Sequence, residues 1–143
     1  MSNDFPPLGF HFKVEFENIK DEFQFQLVSG LASELLTEEI AEGGENRFKH
    51  KLPLKTRYSN LVLKRGLLVN SELARWCHEA IDNFNIKPAN VTIKLLNEKH
   101  EPLVTWNVVH AYPLKWNVSD LNAEESKMVV ETLELAYNYF KIQ

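Results

Sequence analysis

Between Phe10 and Glu17 apolar and polar residues change places at every step: Phe10, Phe12, Val14 and Phe16 against His11, Lys13, Glu15 and Glu17. Alternation at period two gives an extended chain one apolar face, which predicts a half-buried strand. Asn18–Asp21 reads as a turn, and Phe23, Phe25 and Leu27 against Gln24 and Gln26 read as the returning strand of a hairpin. The pattern recurs in Val91, Ile93 and Leu95 and in Val104, Trp106 and Val108, on either side of Asn97-Glu98-Lys99-His100. That link has the length of a hairpin loop, so these two runs are expected to pair antiparallel. Pro102 donates no backbone hydrogen bond and belongs at the start of the second strand or on an edge. Asn60–Arg65 predicts another strand, ended by Gly66. Tyr112–Ser119, interrupted by Pro113, and a turn through Asp120–Glu125 lead to Lys127–Tyr137, where β-branched residues and the β-rich context favour strand over helix.

One segment carries the helical period instead. In Ser71–Phe84 the residues Leu73, Trp76, Cys77, Ala80, Ile81 and Phe84 form a single stripe, Ser71 suits the N-cap and Glu72 the positive end of the helix dipole. Leu31–Glu42 fits two readings. Leu35, Leu36 and Ile40 before Gly43-Gly44 lean towards a helix with a glycine stop, while period two makes the same residues a mediocre strand. Glu45–Ser59 has no clear period and contains Pro53, so it reads as a long loop of the kind that is usually functional or disordered. At the start, Pro6-Pro7 makes residues 1–9 an extended entry segment. Short strands around one helix imply a mainly β fold: an antiparallel barrel or sandwich with one packed helix over about 71–84, a single domain over 1–143.

A chain of 143 residues buries enough surface to hold a core without disulfides or metals. Its 44% hydrophobic and 25% charged residues are ordinary for a globular protein. A net charge of −4 and a pI near 5.7 argue against a domain built as a whole to grip nucleic acid. The single cysteine excludes an internal disulfide and suits a reducing compartment. No apolar run is long enough to span a bilayer, and the N-terminus lacks the basic and apolar regions of a signal peptide. The chain is therefore expected to be made in the cytoplasm.

Chemistry is hard to find. His11, His50, His78, His100 and His110 are scattered without metal-ligand spacing, and nucleophile elbows, Walker loops and dinucleotide fingerprints are absent. Cys77 sits on the helix stripe, where packing is its expected role. The carboxylate pairs Glu38/Glu39, Glu124/Glu125 and Asp21/Glu22 read as solvated. The sequence accordingly names no catalytic, cofactor or metal residues. One charge pattern stands apart: Glu38, Glu39, Glu42 and Glu45 are followed at once by Arg47, Lys49, Lys51, Lys55 and Arg57. It reads as a subunit interface in which basic meets acidic, as a solvated loop with weak pairs, or as a nucleic-acid contact poor in aromatics.

Several segments together carry a resemblance. They are Val28-Ser29-Gly30-Leu31, Glu42-Gly43-Gly44, Lys51-Leu52-Pro53, Tyr58 to Gly66, Val91 to Trp106 and Glu131-Thr132-Leu133-Glu134-Leu135. In this order the chain resembles the tail-tube proteins of contractile bacteriophages and the inner-tube proteins of phage-tail-like contractile injection systems, from about Phe5 to Tyr139. The resemblance implies a β-barrel with one packed helix that assembles into hexameric rings, stacked into a hollow tube that a contracting sheath drives through a target envelope. It turns the ambiguous Leu31–Glu42 into a strand. It implies that the loop of about 43–58 reaches neighbouring subunits, which makes Glu38, Glu39, Glu42, Gly43, Gly44, Glu45, Arg47, Lys49, Lys51, Lys55, Arg57 and Tyr58 the candidate subunit interface. The implied partners are copies of the chain, a sheath protein, baseplate or hub and tube-terminator proteins, and a cargo effector or phage DNA in a lumen lined by polar residues such as Gln24 and Gln26. The particle that results is a phage tail or a released injection device. An adaptor ring between tube and baseplate, a cargo-binding module and an enzyme are the competing readings, the last without a supporting constellation.

Overall fold

A computed structural model describes residues 10–23, 25–40, 50–68, 70–125 and 128–143. In chain order the elements are β1 (His11–Phe16), β2 (Ile19–Phe23), β3 (Leu27–Ser29), β4 (Ser33–Ile40), β5 (His50–Tyr58), β6 (Leu61–Gly66), α1 (Glu72–Asn83), β7 (Ala89–Leu96), β8 (Pro102–Val118), β9 (Val130–Ala136) and β10 (Tyr139–Ile142). Eight strands form one antiparallel sheet in the order β2-β1-β7-β8-β9-β6-β3, with β10 also paired to β8. Among the described residues β4 and β5 pair only with each other.

Alternation on paper becomes layers in space. Phe16, Val91 and Val108 lie side by side across β1, β7 and β8, followed by Val14, Ile93 and Trp106 and then by Phe12, Leu95 and Val104. Val14, Val91, Ile93 and Val108 are buried there. Pro102 opens β8, as its missing donor requires. On the other side of the sheet Leu61 faces Leu135, Leu63 faces Leu133 and Arg65 faces Glu131, all essentially without solvent contact.

Four expectations need correction. The first hairpin turns at residues 17–18, so its second strand begins at Ile19, whose buried side chain anchors it, and Phe25 packs in the core beyond the strand's end. Tyr112–Val118 is no separate strand but the second half of β8. The strand bends at His110, which takes a positive φ of 57°, and absorbs Pro113 in a register shift before Lys115. The helix stripe ends early. Leu73, Cys77 and Ala80 are buried, but Ile81 and the left-handed C-cap Phe84 face solvent. Residues 50–58 are a strand, not a loop; the expected loop's residues 45–49 lie outside the described residues. β10, which the sequence left unassigned, closes the chain against β8.

Arg65 and Glu131 form a buried cross-strand pair, Nε to Oε2 at 3.5 Å. Arg65 Nη2 donates to Ser71 Oγ at 2.6 Å, and Ser71 Oγ also accepts the Ala74 N–H at 3.3 Å as the helix N-cap. Trp116 Nε1 donates to Glu131 Oε1 at 3.0 Å, and the Phe25 ring lies 5.5 Å from the guanidinium carbon. Removing one charge strands the other in a dry site, which costs about 3–5 kcal/mol, whereas replacing both with apolar residues of similar size is often neutral. Arg65→Met alone and Glu131→Leu alone are therefore expected to lower the urea midpoint sharply. The double variant should recover most of that loss.

Cys77 lies beneath this pair with no exposed surface. Its thiol is pushed up from 9.0 to about 12, first by burial, then by the Glu131 charge, with Arg65 acting in the opposite direction. At neutral pH a thiol reagent should leave it untouched until urea unfolds the chain. The raised value also fixes a sign: the neutral thiol's contribution to stability is complete below pH 9.0 and is lost as pH climbs towards 12. Cys77→Ala should flatten that alkaline limb of the stability curve.

Candidate assembly surface

β4 and β5 make an arm whose packing is almost wholly between its own two strands. Opposite residues run Ser33/Tyr58, Glu34/Arg57, Leu35/Thr56 and Leu36/Lys55, then, past a bulge, Thr37/Pro53, Glu38/Leu52, Glu39/Lys51 and Ile40/His50. The bulge takes up Leu54 beside Pro53, which explains how a proline enters this strand. Only Leu36 and Tyr58 are even partly buried. Here lies the reason the sequence showed no period: with neither face against a core, nothing imposes alternation.

The charges of the arm are largely matched within it. Arg57 Nη2 donates to Glu34 Oε2 at 2.7 Å, and Glu39 stands opposite Lys51. Exposed pairs of this kind contribute little to stability. What the arm leaves uncovered is apolar: Leu35 and Leu54 are each 59% exposed, Leu52 45% and Ile40 42%. Of the residues the sequence singled out, Glu38, Glu39, Lys51, Lys55, Arg57 and Tyr58 come together on this arm. Glu42, Gly43, Gly44, Glu45, Arg47 and Lys49 lie outside the described residues. Sequence reasoning missed Glu34, Leu35 and Leu54, because attention to a switch of charge passes over the apolar residues between the charges.

Two devices hold the arm at its root. The Tyr58 ring meets Phe140 edge-on at 5.1 Å and Tyr137 at 5.9 Å, tying β5 to the last two strands. Burial, and after it the neighbouring Tyr58, raises the Tyr137 phenol above its ordinary value. On the β4 side the Ala32 N–H donates to Gly30 O at 2.8 Å and the Ser59 N–H to Ala32 O at 3.2 Å. Gly30 has φ +92°, and a Cβ there would stand 2.0 Å from the backbone oxygen of Asn60. No side chain fits without moving backbone.

Other apolar residues are also exposed away from the arm, among them Phe84, Leu121, Met128 and Ile142. Lys13 and Lys94 both reach Glu15, at 3.3 and 3.7 Å, on the outer face of β1 and β7. Gln26 is exposed with its Nε2 3.6 Å from Met128 Sδ, and Gln24 lies outside the described residues. An apolar groove of about 350 Å³ opens between Phe10, Phe12, Leu27, Leu31, Leu95 and Trp106. Among the described residues no group of three or more His, Cys, Asp or Glu side chains is placed to hold a metal ion, and no helix is long and apolar enough to cross a membrane.

Residues 8–141 match the model of a family described as T4-like virus tail tube protein gp19. Among solved structures the chain is similar to one in the six-fold symmetrised baseplate of the anti-feeding prophage (AFP), at 34% identity and a TM-score of 0.84, over 100% of this chain and 97% of that one. It is also similar to chains of an extracellular contractile injection system, PVC, both at 25% identity. One is in the sheath/tube terminator, with a TM-score of 0.83 over 99% of both chains. The other is in the extended sheath–tube complex, with a TM-score of 0.82 over 99% of this chain and 93% of that one. No curated protein matches the chain in sequence.

Gly30→Ala places a methyl group into backbone and a left-handed φ, a combination expected to cost at least about 2 kcal/mol. Its effect should concentrate at the arm's root. Hydrogen exchange of the amides of Ala32 and Ser59 is expected to quicken before that of the core strands β6 and β9.

Proposed function

The chain belongs to the T4-like tail tube protein family, and we propose that it is the inner-tube subunit of a contractile injection machine, closing six-membered rings that stack into a hollow conduit. The observation that carries this reading is the arm. A two-stranded hairpin is marginal by itself in water, and this one exposes leucines along its length. Laid on the next copy, it buries those leucines at roughly 25 cal/mol per Å² and makes a head-to-tail contact, which closes when its rotation closes. That the similar AFP chain comes from a six-fold symmetrised baseplate supports a ring of six.

Within such a ring the outer face of β1 and β7, with Lys13, Glu15 and Lys94 at its surface, suits a polar lumen that passes effector or DNA without sticking. A sheath outside, a baseplate hub at one end and a terminator at the other are the partners this role requires. Force transmission and passage are the activity, with no substrate turned over. A second reading has its own support: identity is higher to a baseplate chain than to the sheath–tube chain. On that reading the protein forms one adaptor ring that starts the tube.

Light scattering and electron microscopy of the purified protein test both. A mass near six times 16.6 kDa, or tubes, is expected. Tubes of open-ended length mark the main tube, and lone rings at every concentration mark the adaptor. Leu35→Ser with Leu54→Ser should shift the protein to monomer while leaving the unfolding free energy of the chain within about 0.5 kcal/mol of the parent's. A wild-type protein that stays monomeric when concentrated, and that no sheath or baseplate partner nucleates, overturns the proposal.

A further inference from the structure

His11 opens β1 and His100 sits in the turn between β7 and β8, far apart in sequence. The fold brings His11 Nε2 to 2.7 Å from His100 Nδ1, with ring centroids 4.4 Å apart and planes at 70°. Two imidazole nitrogens at this distance cannot both carry a proton on the facing side; one must offer a lone pair. With each ring's proton on its far nitrogen, both facing nitrogens offer a lone pair.

The backbone holds that geometry from both sides. Asn97 Oδ1 accepts the N–H groups of Lys99 and Glu101, each at 2.9 Å. The His100 N–H donates to Asn97 O at 3.0 Å, and the Asn97 N–H to Glu101 O at 3.0 Å. His100 itself takes a positive φ of 63° at the tip of this closed turn. His11 is fixed by its register opposite Leu96, the residue next to Asn97.

We propose that His11 and His100 form a clip for one divalent ion of the imidazole-preferring class, Zn²⁺, Ni²⁺ or Cu²⁺. With nitrogens about 2.0–2.1 Å from zinc, two ligands at a tetrahedral angle stand about 3.3 Å apart. The pair thus needs to open by about 0.6 Å, within reach of side-chain rotations. Because no third His, Cys, Asp or Glu among the described residues completes the set, water fills the remaining positions. The site is open, and weaker than a closed four-ligand one. A bound ion fastens the start of β1 to the β7–β8 turn and stabilises the chain by mass action.

The test is a calorimetric titration of the chelator-stripped full chain with ZnCl₂, followed by ring-proton NMR of its five histidines. One ion per chain is expected, with the His11 and His100 resonances moving together. His11→Ala and His100→Ala should each weaken binding at least tenfold, and His11→Gln, which keeps a polar side chain of similar length, should behave like His11→Ala. His50→Ala, His78→Ala and His110→Ala should bind as the parent does. Circular dichroism of every variant should match the parent. Unchanged affinity in the His11 and His100 variants, shifts confined to the other histidines, or no binding at millimolar zinc shows that the pair is only a shared-proton hydrogen bond.

Discussion

Arg65 and Glu131 stand opposite each other on β6 and β9, out of reach of water, so their charges must be met from inside the protein. Meeting them recruits Ser71 at the start of α1, Trp116 on the second half of β8 and the Phe25 ring between β2 and β3. Two side chains therefore fix how the helix, the bent strand and the crossing segment sit on the sheet. A buried ion pair adds little net stability over an apolar pair, but it discriminates sharply. A one-residue slip of β6 against β9 would turn one of the charges outward and leave the other unpaired in the core. Leu61, Leu63, Leu133 and Leu135 alone would resist such a slip through packing; the charges make it far more costly.

That locked body and the arm obey different energetics. The body buries its apolar rows against itself and its helix. The arm holds backbone hydrogen bonds between two strands and surface ion pairs worth little, while Leu35, Leu52 and Leu54 remain in water. Its root is stiff, clamped by Tyr58 on Phe140 and by the Gly30 turn against Asn60. A stiff root on an under-packed projection sets the direction in which the arm leaves the body. Direction is what a closed ring demands of a head-to-tail contact, since an error in angle repeats at every subunit.

Legibility followed burial. Where one face of a strand is buried, the period is visible: β1, β6, β7, β9 and the first half of β8 stand out in the sequence, and so does α1 with its Ser71 cap. Even the ion pair was visible in phase, as Leu61/Leu63/Arg65 and Glu131/Leu133/Leu135, although charged residues on an apolar face are easily taken for noise. β5 was misread as a loop because both its faces are wet. β4 was recovered only through resemblance to a family, because its alternation is as weak as that of β5. β10 is four residues long and lies at an edge. The positive φ of His110 in β8 left no signal, since no glycine stands there and the flanking residues read as strand. The candidate assembly surface is half legible: its charges are conspicuous in the sequence, but its exposed leucines look like any others until the structure shows what they fail to touch.

Open strand edges and bare leucines expose a chain to indiscriminate association. The arm carries several features that limit it. Pro53 and the bulge at Leu54 interrupt the β5 edge, so a straight foreign strand cannot zip along it. Lys51 and Lys55 on one strand and Glu38 and Glu39 on the other make any unmatched partner bring like charges together. Each feature lowers affinity for every strand except one shaped and charged to fit. The weak internal pairs that looked uninformative as a source of stability thus acquire a role as a filter. They leave the apolar gain to a surface of matching geometry, which in the proposed ring is another copy of this chain.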